Sequence, residues 1–203
     1  MRCDKLTVNN LFAHQAQYEI QPLQRHYVWD KPNWQRLWDD IVETMEDANP
    51  SAQHYLGAIM VTPQALQPGN IEIKNVIDGQ QRLITLSILL AALRDACRES
   101  VNGQSIADEI NHVFLVHPFR KGRDRFKVYP KNRGAADYFS IINDGHPLNP
   151  KSRFAKAYAF FRHVIGSEDM FTGIERLARL RTAITNSLVL IVITAEDQNA
   201  YRI

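Results

Sequence analysis

The chain has few cysteines and no long hydrophobic segment. Its 203 residues include only Cys3 and Cys97, and neither belongs to a Cys-x-x-Cys pair. We therefore expect no disulfide framework and no structural zinc site, but two free thiols in a reducing compartment. No segment approaches the roughly 18 apolar residues of a membrane span, and the N-terminus has no apolar signal segment. These absences predict a cytoplasmic protein that does not enter a membrane.

A strong net charge is also lacking. The formal net charge is +2 at pH 7, so composition alone does not indicate a nucleic-acid partner, and only a local concentration of charge could do so. Hydrophobic residues make up 45% of the chain and charged residues 23%, values that are typical of folded globular proteins rather than disordered ones. The length suffices for one sizeable core or two small subdomains.

Hydrophobic periodicity predicts an α+β fold, with a small mixed β-sheet wrapped by several helices. Helical spacing of apolar residues occurs at 34–45, 82–98, 106–116, 135–142, 154–165 and 174–184, and strand patterns occur at 55–62, 71–77, 125–129 and 188–194. We predict a motif-bearing core over residues 1–100 and a helical subdomain with a returning strand over residues 101–203. Because the chain stops soon after a strand, we expect it to be an N-terminal fragment of a longer protein.

A polar cluster lies between the predicted strand at 71–77 and the helix at 82–98. It consists of Asp78, Gly79, Gln80, Gln81 and Arg82. A strand-to-helix turn of this kind presents backbone N–H groups and the positive end of a helix dipole to an anion. Glycine permits a positive φ and close approach by a ligand, and arginine offers a bidentate fork that suits phosphate. The purely structural alternative is a turn in which Asp78 caps the helix and Arg82 forms a surface ion pair.

A second polar and aromatic run lies at residues 24–29. Gln24 and Arg25 are suited to binding an anion, and the rings of Tyr27 and Trp29 could stack on a ligand. For the two aromatic residues we favour a structural interpretation, in which they are anchors in the core. For Gln24 and Arg25 we favour a functional one.

A basic segment covers residues 120–133. It contains seven basic residues and one acidic residue, with Phe126 and Tyr129 interleaved. Such a stripe can follow a phosphate backbone, so Lys121, Arg123 and Arg125 are candidate DNA contacts. The alternative is a turn whose charges only face water.

Four motifs occur in this chain in the order and spacing of one family. They are Gln24-Arg25-x-Tyr27-x-Trp29, Trp38-x-Asp40-Ile41, Tyr55-Leu56-Gly57 and Ile77-Asp78-Gly79-Gln80-Gln81-Arg82-Leu83-x-Thr85-Leu86. In these motifs the chain resembles the DUF262 domain, the N-terminal domain of GmrSD-like type IV restriction proteins. That domain is itself similar to the ParB/sulfiredoxin superfamily, in which an equivalent turn with arginine binds nucleotide phosphates. Residues 196–203 resemble the approach to a further family motif.

The resemblance implies a module that binds and hydrolyses a nucleoside triphosphate (NTP). Such a module regulates cleavage of foreign, often modified, DNA by a separate C-terminal nuclease domain of the same protein. On this reading Arg25 and Arg82 hold the phosphates, Gln24 and Gly79 complete the nucleotide site, and Gln80 or Gln81 orients the attacking water. Asp78 polarises that water or binds Mg²⁺, which is the expected cofactor.

Two other functions stay open at this point. The module could bind DNA or sense its modification without catalysis, with residues 78–82 holding a DNA phosphate. It could also be a nuclease itself, although the clustered carboxylates of a metal nuclease are missing near Asp78. Four histidines are scattered singly, without the spacing of metal ligands, and we expect each of them to be exposed or hydrogen-bonded: His112, His117, His146 and His163.

Overall fold

One mixed sheet of six strands organises the part of the chain that the structure describes. A computed structural model describes residues 1–47, 49, 52–65, 69–132, 134–167 and 173–195. The strands are β1 (Arg2–Thr7), β2 (Ala16–Ile20), β3 (His54–Pro63), β4 (Glu72–Asp78), β5 (Val128–Pro130) and β6 (Leu188–Thr194). Their order in the sheet is β1-β6-β3-β4-β2-β5. The β6–β3, β4–β2 and β2–β5 pairs are parallel, and the other two pairs are antiparallel. The predicted α+β class is confirmed.

Seven α-helices accompany the sheet within the described residues. They are α1 (Val8–Ala13), α2 (Lys31–Glu46), α3 (Gln80–Glu99), α4 (Gln104–Glu109), α5 (Ala136–Asp144), α6 (Arg153–Ser167) and α7 (Ile174–Thr182). Helix α3 is central, since it contacts α4, α5, α6 and α7. As its apolar residues on several faces predict, α3 is buried nearly all round over its first four turns. Its side chains share one core with those of β3, β4 and β6, among them Ile59, Val76 and Leu190.

Three local elements differ from the predictions made from the sequence. Strand β1 was not predicted, because its sequence lacks an alternating apolar pattern and reads as a polar edge strand. The helix expected at 106–116 ends as α4 at Glu109 and continues as a wider π-helical segment, Ile110–Leu115. The strand expected at 125–129 starts only at Val128, because Gly122–Arg125 forms a 3₁₀ turn.

Strands from both predicted segments lie in the same sheet. Strand β5 pairs with β2, and β6 lies between β1 and β3. The division into two parts near residue 100 stays a prediction about domain organisation. The predicted motif approach at 196–203 and the basic residue Arg133 lie outside the described residues.

No helix in the described part of the chain is long and apolar enough to cross a membrane.

The topology determines which loops lie together. Strands β2 and β4 are parallel, so their carboxyl ends reach the same edge of the sheet, where α/β proteins commonly place their ligands. The segment that follows β2 contains residues 24–29, and the turn that follows β4 contains residues 78–82. The basic segment begins before β5, which is also parallel to β2. Its first residues therefore lie at the opposite end of the strands, where β2 and β4 begin.

Candidate functional site

The two polar runs that the sequence singled out line one cavity of about 320 Å³. We call it the site cavity. It lies at the carboxyl ends of β2 and β4, and its walls come from the segment after β2 and from the first turn of α3. Its lining residues are Gln24, Arg25, Trp29, Ile77, Asp78, Gly79, Gln80, Gln81 and Arg82. Every residue that was assigned to the nucleotide site therefore contributes to this cavity.

The turn at Gly79 requires glycine for two reasons. Its φ of 89° lies in the left-handed region, and a Cβ atom at this position would come within 2.5 Å of Ile59 Cγ2. The Gly79 carbonyl accepts the N–H groups of Arg82 and Leu83, which starts α3. The N–H groups at the very start of α3 have no intrahelical carbonyl to bond, so they are suited to an anion.

Asp78 is exposed at the rim of the site cavity. One of its carboxylate oxygens accepts the Gly79 N–H at 2.7 Å. Among the described residues, no hydrogen bond to its other oxygen is found. This oxygen is therefore open to a water molecule, a hydroxyl group or a cation.

The adjacent glutamines connect α3 to the segment after β2. Gln81 donates to the His26 carbonyl at 3.1 Å, and its amide oxygen accepts from the Val28 N–H at 2.8 Å. Gln80 donates to the Arg25 carbonyl at 2.9 Å. Because the Gln81 amide is bonded at both ends, we interpret it as a group that positions residues 24–29 rather than one that contacts a ligand.

Arg82 makes a contact that the sequence did not reveal. Its Nε donates to the Leu56 carbonyl at 2.8 Å, and its Nη1 donates to the Ala58 carbonyl at 3.3 Å. The guanidinium lies against Gly57, where a Cβ atom would come within 2.9 Å of Arg82 Nε. The surface ion pair that we considered for Arg82 is not found among the described residues. The signal for this contact was Gly57 inside a strand, which often marks close approach by another group.

Arg25 supplies an uncompensated positive charge at the site cavity. It is exposed, and no hydrogen bond or ion pair of its side chain is found in the described part of the chain. Its backbone is fixed by Gln80, whereas its guanidinium stays free to meet a ligand. A cation without a carboxylate partner beside a helix N-terminus favours binding of an anion.

The two aromatic residues of the 24–29 segment have different surroundings. Tyr27 is buried and stacks on Phe154, and its hydroxyl bonds Thr85 and Trp34 at 2.8 Å each. Burial raises the pKa of Tyr27. The prediction of a core anchor is confirmed for Tyr27. Trp29 is half-buried and lines the site cavity.

The candidate DNA contacts lie away from the site cavity and differ in whether an acidic side chain is paired with them. Arg123 forms an ion pair with Glu19 at 3.3 Å, and Glu19 is fully buried in β2. Arg125 lies over the Phe126 ring. Lys121 is exposed, with no ion pair found among the described residues. Glu19 thus partly neutralises the basic segment, and of the three candidate DNA contacts only Arg123 has an ion pair among the described residues.

His117 is a buried histidine with an unpaired ring nitrogen. The ring is hydrogen-bonded to the backbone of Ala16, as we expect of a histidine that is not exposed. Nε2, however, has no hydrogen-bond partner within the described residues. Burial, with a further contribution from the nearby Lys127 ammonium, lowers the pKa of His117 to about 4. Burial also lowers the pKa of Lys127 to about 8, and its Nζ donates to the His14 carbonyl at 2.9 Å.

We expect His117 to make stability depend on pH. Between a pKa near 6.5 in the unfolded chain and about 4 in the folded one, only the unfolded state binds the proton. The stability contribution is therefore complete above pH 6.5, and about 3 kcal/mol is lost as the pH falls to 4. Urea unfolding measured from pH 7 to 4 should show a flatter profile for His117→Gln. The same change at the exposed His163 should leave the profile unchanged, and a flatter profile there would contradict the assignment.

The described side chains do not provide a complete set of ligands for a metal ion. In the described ranges, no group of three or more histidine, cysteine, aspartate or glutamate side chains could hold a metal ion. Both cysteines are free thiols, as expected, with Cys3 exposed and Cys97 buried.

Fold and site together define an α+β domain with a polar cavity at a strand-turn-helix junction. A family profile described as the GmrSD restriction endonuclease, N-terminal domain, matches residues 8–203. The chain belongs to this family, and it is the N-terminal domain of a restriction endonuclease of the GmrSD type. A search of curated proteins found no match.

Proposed function

We propose that this domain binds an NTP in the site cavity and hydrolyses it, and that hydrolysis regulates DNA cleavage by another domain of the same protein. The observation that carries the proposal is the site cavity itself. It combines a helix N-terminus, the uncompensated cation Arg25 and the open carboxylate oxygen of Asp78. Its volume of about 320 Å³ lies at the lower end of the range for ligand pockets.

The phosphates are assigned to three groups. Arg25 contributes a free guanidinium, and the first N–H groups of α3 contribute dipoles that point toward the cavity. Arg82 uses Nε and Nη1 to bond the carbonyls of β3, so only its remaining N–H groups are offered to a phosphate. We therefore assign Arg25 the larger share of phosphate binding, and Arg82 a share in shaping the cavity wall.

Asp78 is assigned to the attacking water. Its open oxygen can accept a hydrogen bond from water and hold that water beside the phosphates. The Asp78 carboxylate also suits Mg²⁺, because this ion is commonly bound by one or two carboxylates, the substrate phosphates and several waters. When bound, the ion would neutralise charge on the phosphates. Gln81 keeps residues 24–29 in place, which holds Arg25 at the cavity.

Hydrolysis is tested by phosphate release from ATP, GTP, CTP and UTP with Mg²⁺, in the presence and absence of DNA. We expect Asp78→Asn to lower kcat by about a hundredfold, because the substituted amide accepts a proton far less readily. Asp78 is exposed, so the variant should unfold at the same urea concentration as the natural chain. The matched control is Asp144→Asn, at an exposed position at the end of α5. Equal kcat values for the natural chain and Asp78→Asn would refute the catalytic role.

DNA binding without catalysis has weaker support in the geometry. The DNA context follows from the family, and Lys121 and Arg125 are the candidate contacts with the least compensated charge. They lie where the parallel strands begin, whereas Asp78 lies where β4 ends. A DNA backbone on the basic segment would therefore not occupy the site cavity. Stimulation of phosphate release by DNA would therefore indicate coupling between separate surfaces.

A further inference from the structure

Two glutamines that line the site cavity each carry an amide oxygen with no hydrogen-bond partner among the described residues. These oxygens are Gln24 Oε1 and Gln80 Oε1, and both are buried. Gln80 as a whole is 7% exposed, so its amide lies almost entirely away from water. A buried acceptor without a donor loses its bonds to water and gains nothing in return. Such an oxygen at a ligand cavity is a position where the ligand can supply the missing donor.

The orientation of both amides is determined by their nitrogen atoms. Gln24 Nε2 donates to the carbonyls of Val76 and Ile77, and Gln80 Nε2 donates to the carbonyl of Arg25. Rotating either amide by 180° would place its oxygen against a carbonyl oxygen, so the oxygens are the ends left unpaired. Gln81 provides the contrast, because its oxygen accepts the Val28 N–H and its nitrogen also has an acceptor.

The site cavity therefore offers acceptors as well as positive charge. Phosphate oxygens carry no donor when they are ionised, so a triphosphate alone cannot satisfy Gln24 Oε1 and Gln80 Oε1. The nucleoside can, because its ribose carries hydroxyl groups and most of its bases carry N–H groups. We infer that Gln24 and Gln80 recognise the nucleoside by accepting hydrogen bonds from it. This inference rests on the proposed function and adds two specificity-determining residues to it.

The test compares ligands that share the triphosphate and differ in the nucleoside. Calorimetry with Mg²⁺ would give the Kd of ATP, GTP and inorganic tripolyphosphate for the natural chain, Gln24→Met and Gln80→Met. We expect the tighter nucleotide to bind at least tenfold more strongly than tripolyphosphate, about the effect of one hydrogen bond to a buried acceptor. Each variant should reduce this ratio severalfold, with the Kd of tripolyphosphate within about twofold of its original value. The control is Gln104→Met, at an exposed position at the start of α4.

Two nucleotide analogues identify the source of the donor. A 2′,3′-dideoxynucleotide lacks the ribose hydroxyls, and purine riboside triphosphate lacks the exocyclic amine. The analogue that has lost the bonding group should bind more weakly to the natural chain, and should bind equally to the natural chain and the relevant glutamine variant.

The possible outcomes separate this inference from the proposed function. Equal affinity for nucleotide and tripolyphosphate would overturn the inference and leave triphosphate binding intact. Equal weakening of both ligands in the variants would show that the glutamines act only on the shape of the cavity. A lower kcat with unchanged Kd for Gln80→Met would assign its oxygen to the attacking water instead. Failure of all three ligands to bind would overturn the proposed function together with the inference.

Discussion

Replacing Gly79 with alanine is expected to lower the free energy of unfolding by about 3 kcal/mol and to abolish nucleotide binding. The left-handed backbone costs an alanine about 1 kcal/mol, and overpacking of a core adds about 1–3 kcal/mol. The second cost arises because the new Cβ would lie 2.5 Å from Ile59 Cγ2 and 3.0 Å from Ile59 Cα. Since the backbone atom cannot give way easily, the turn between β4 and α3 should shift, which displaces Asp78 and the helix N-terminus.

Urea unfolding and calorimetry with ATP would measure the two effects of Gly79→Ala. Gly69→Ala is the matched control, because Gly69 has a similar φ of 83° and nothing within 4 Å of its added Cβ. Gly69→Ala should cost only the backbone strain of about 1 kcal/mol and keep nucleotide binding. Equal losses of stability in the two variants would show that contact with Ile59 is unimportant.

Replacing Arg94 with methionine should lower the free energy of unfolding by about 3 kcal/mol, with little direct effect on the site cavity. Arg94 is fully buried in α3, where its guanidinium bonds Asp95 at 2.8 Å and the carbonyls of Ile141 and Ile142 in α5. Methionine fills the space but leaves these acceptors without their donor, and breaking a buried ion pair typically costs about 3–5 kcal/mol. The lower end is expected because Tyr158 and Arg98 also bond Asp95.

The control for Arg94 is Arg98, which donates a hydrogen bond to the same Asp95 carboxylate. Arg98→Met removes an ion pair that is partly exposed to water, and such a pair contributes at most about 1 kcal/mol. Urea unfolding of both variants would give the comparison. A loss as large for Arg98→Met as for Arg94→Met would mean that burial of the pair does not determine its contribution.

The spacing of apolar residues predicted those helices and strands that have one face buried in the core. Helix α2 and strand β6 were predicted almost as they are found, because apolar spacing directly records which face meets the core. Strand β1 was not predicted, because it is stabilised by pairing with β6. A polar edge strand has no alternating apolar pattern from which such pairing could be predicted.

The residues of the candidate site could be predicted from the sequence, but the contacts that each side chain makes could not. Residue type singled out Gln24, Arg25 and residues 78–82, and the family resemblance implied that they share one site. The structure places them around one cavity. Which glutamine is bonded at both ends depends on the distance between its amide and a backbone segment more than 50 residues away in sequence. The contact between Arg82 and the carbonyls of β3 is equally non-local, so a spacing argument could only describe Arg82 as a phosphate ligand or a surface ion pair.

The position of β6 has a consequence for the order in which the domain can assemble. In the described structure β1 hydrogen-bonds only to β6, although nearly the whole chain separates them in sequence. During synthesis, the first strand therefore has to wait for residues 188–194 to leave the ribosome. Until then β3 also exposes a free edge, and an unpaired edge is a template for association with other chains. The domain closes its sheet with almost the last residues described here, and strand pairing over such long separations tends to make folding slow.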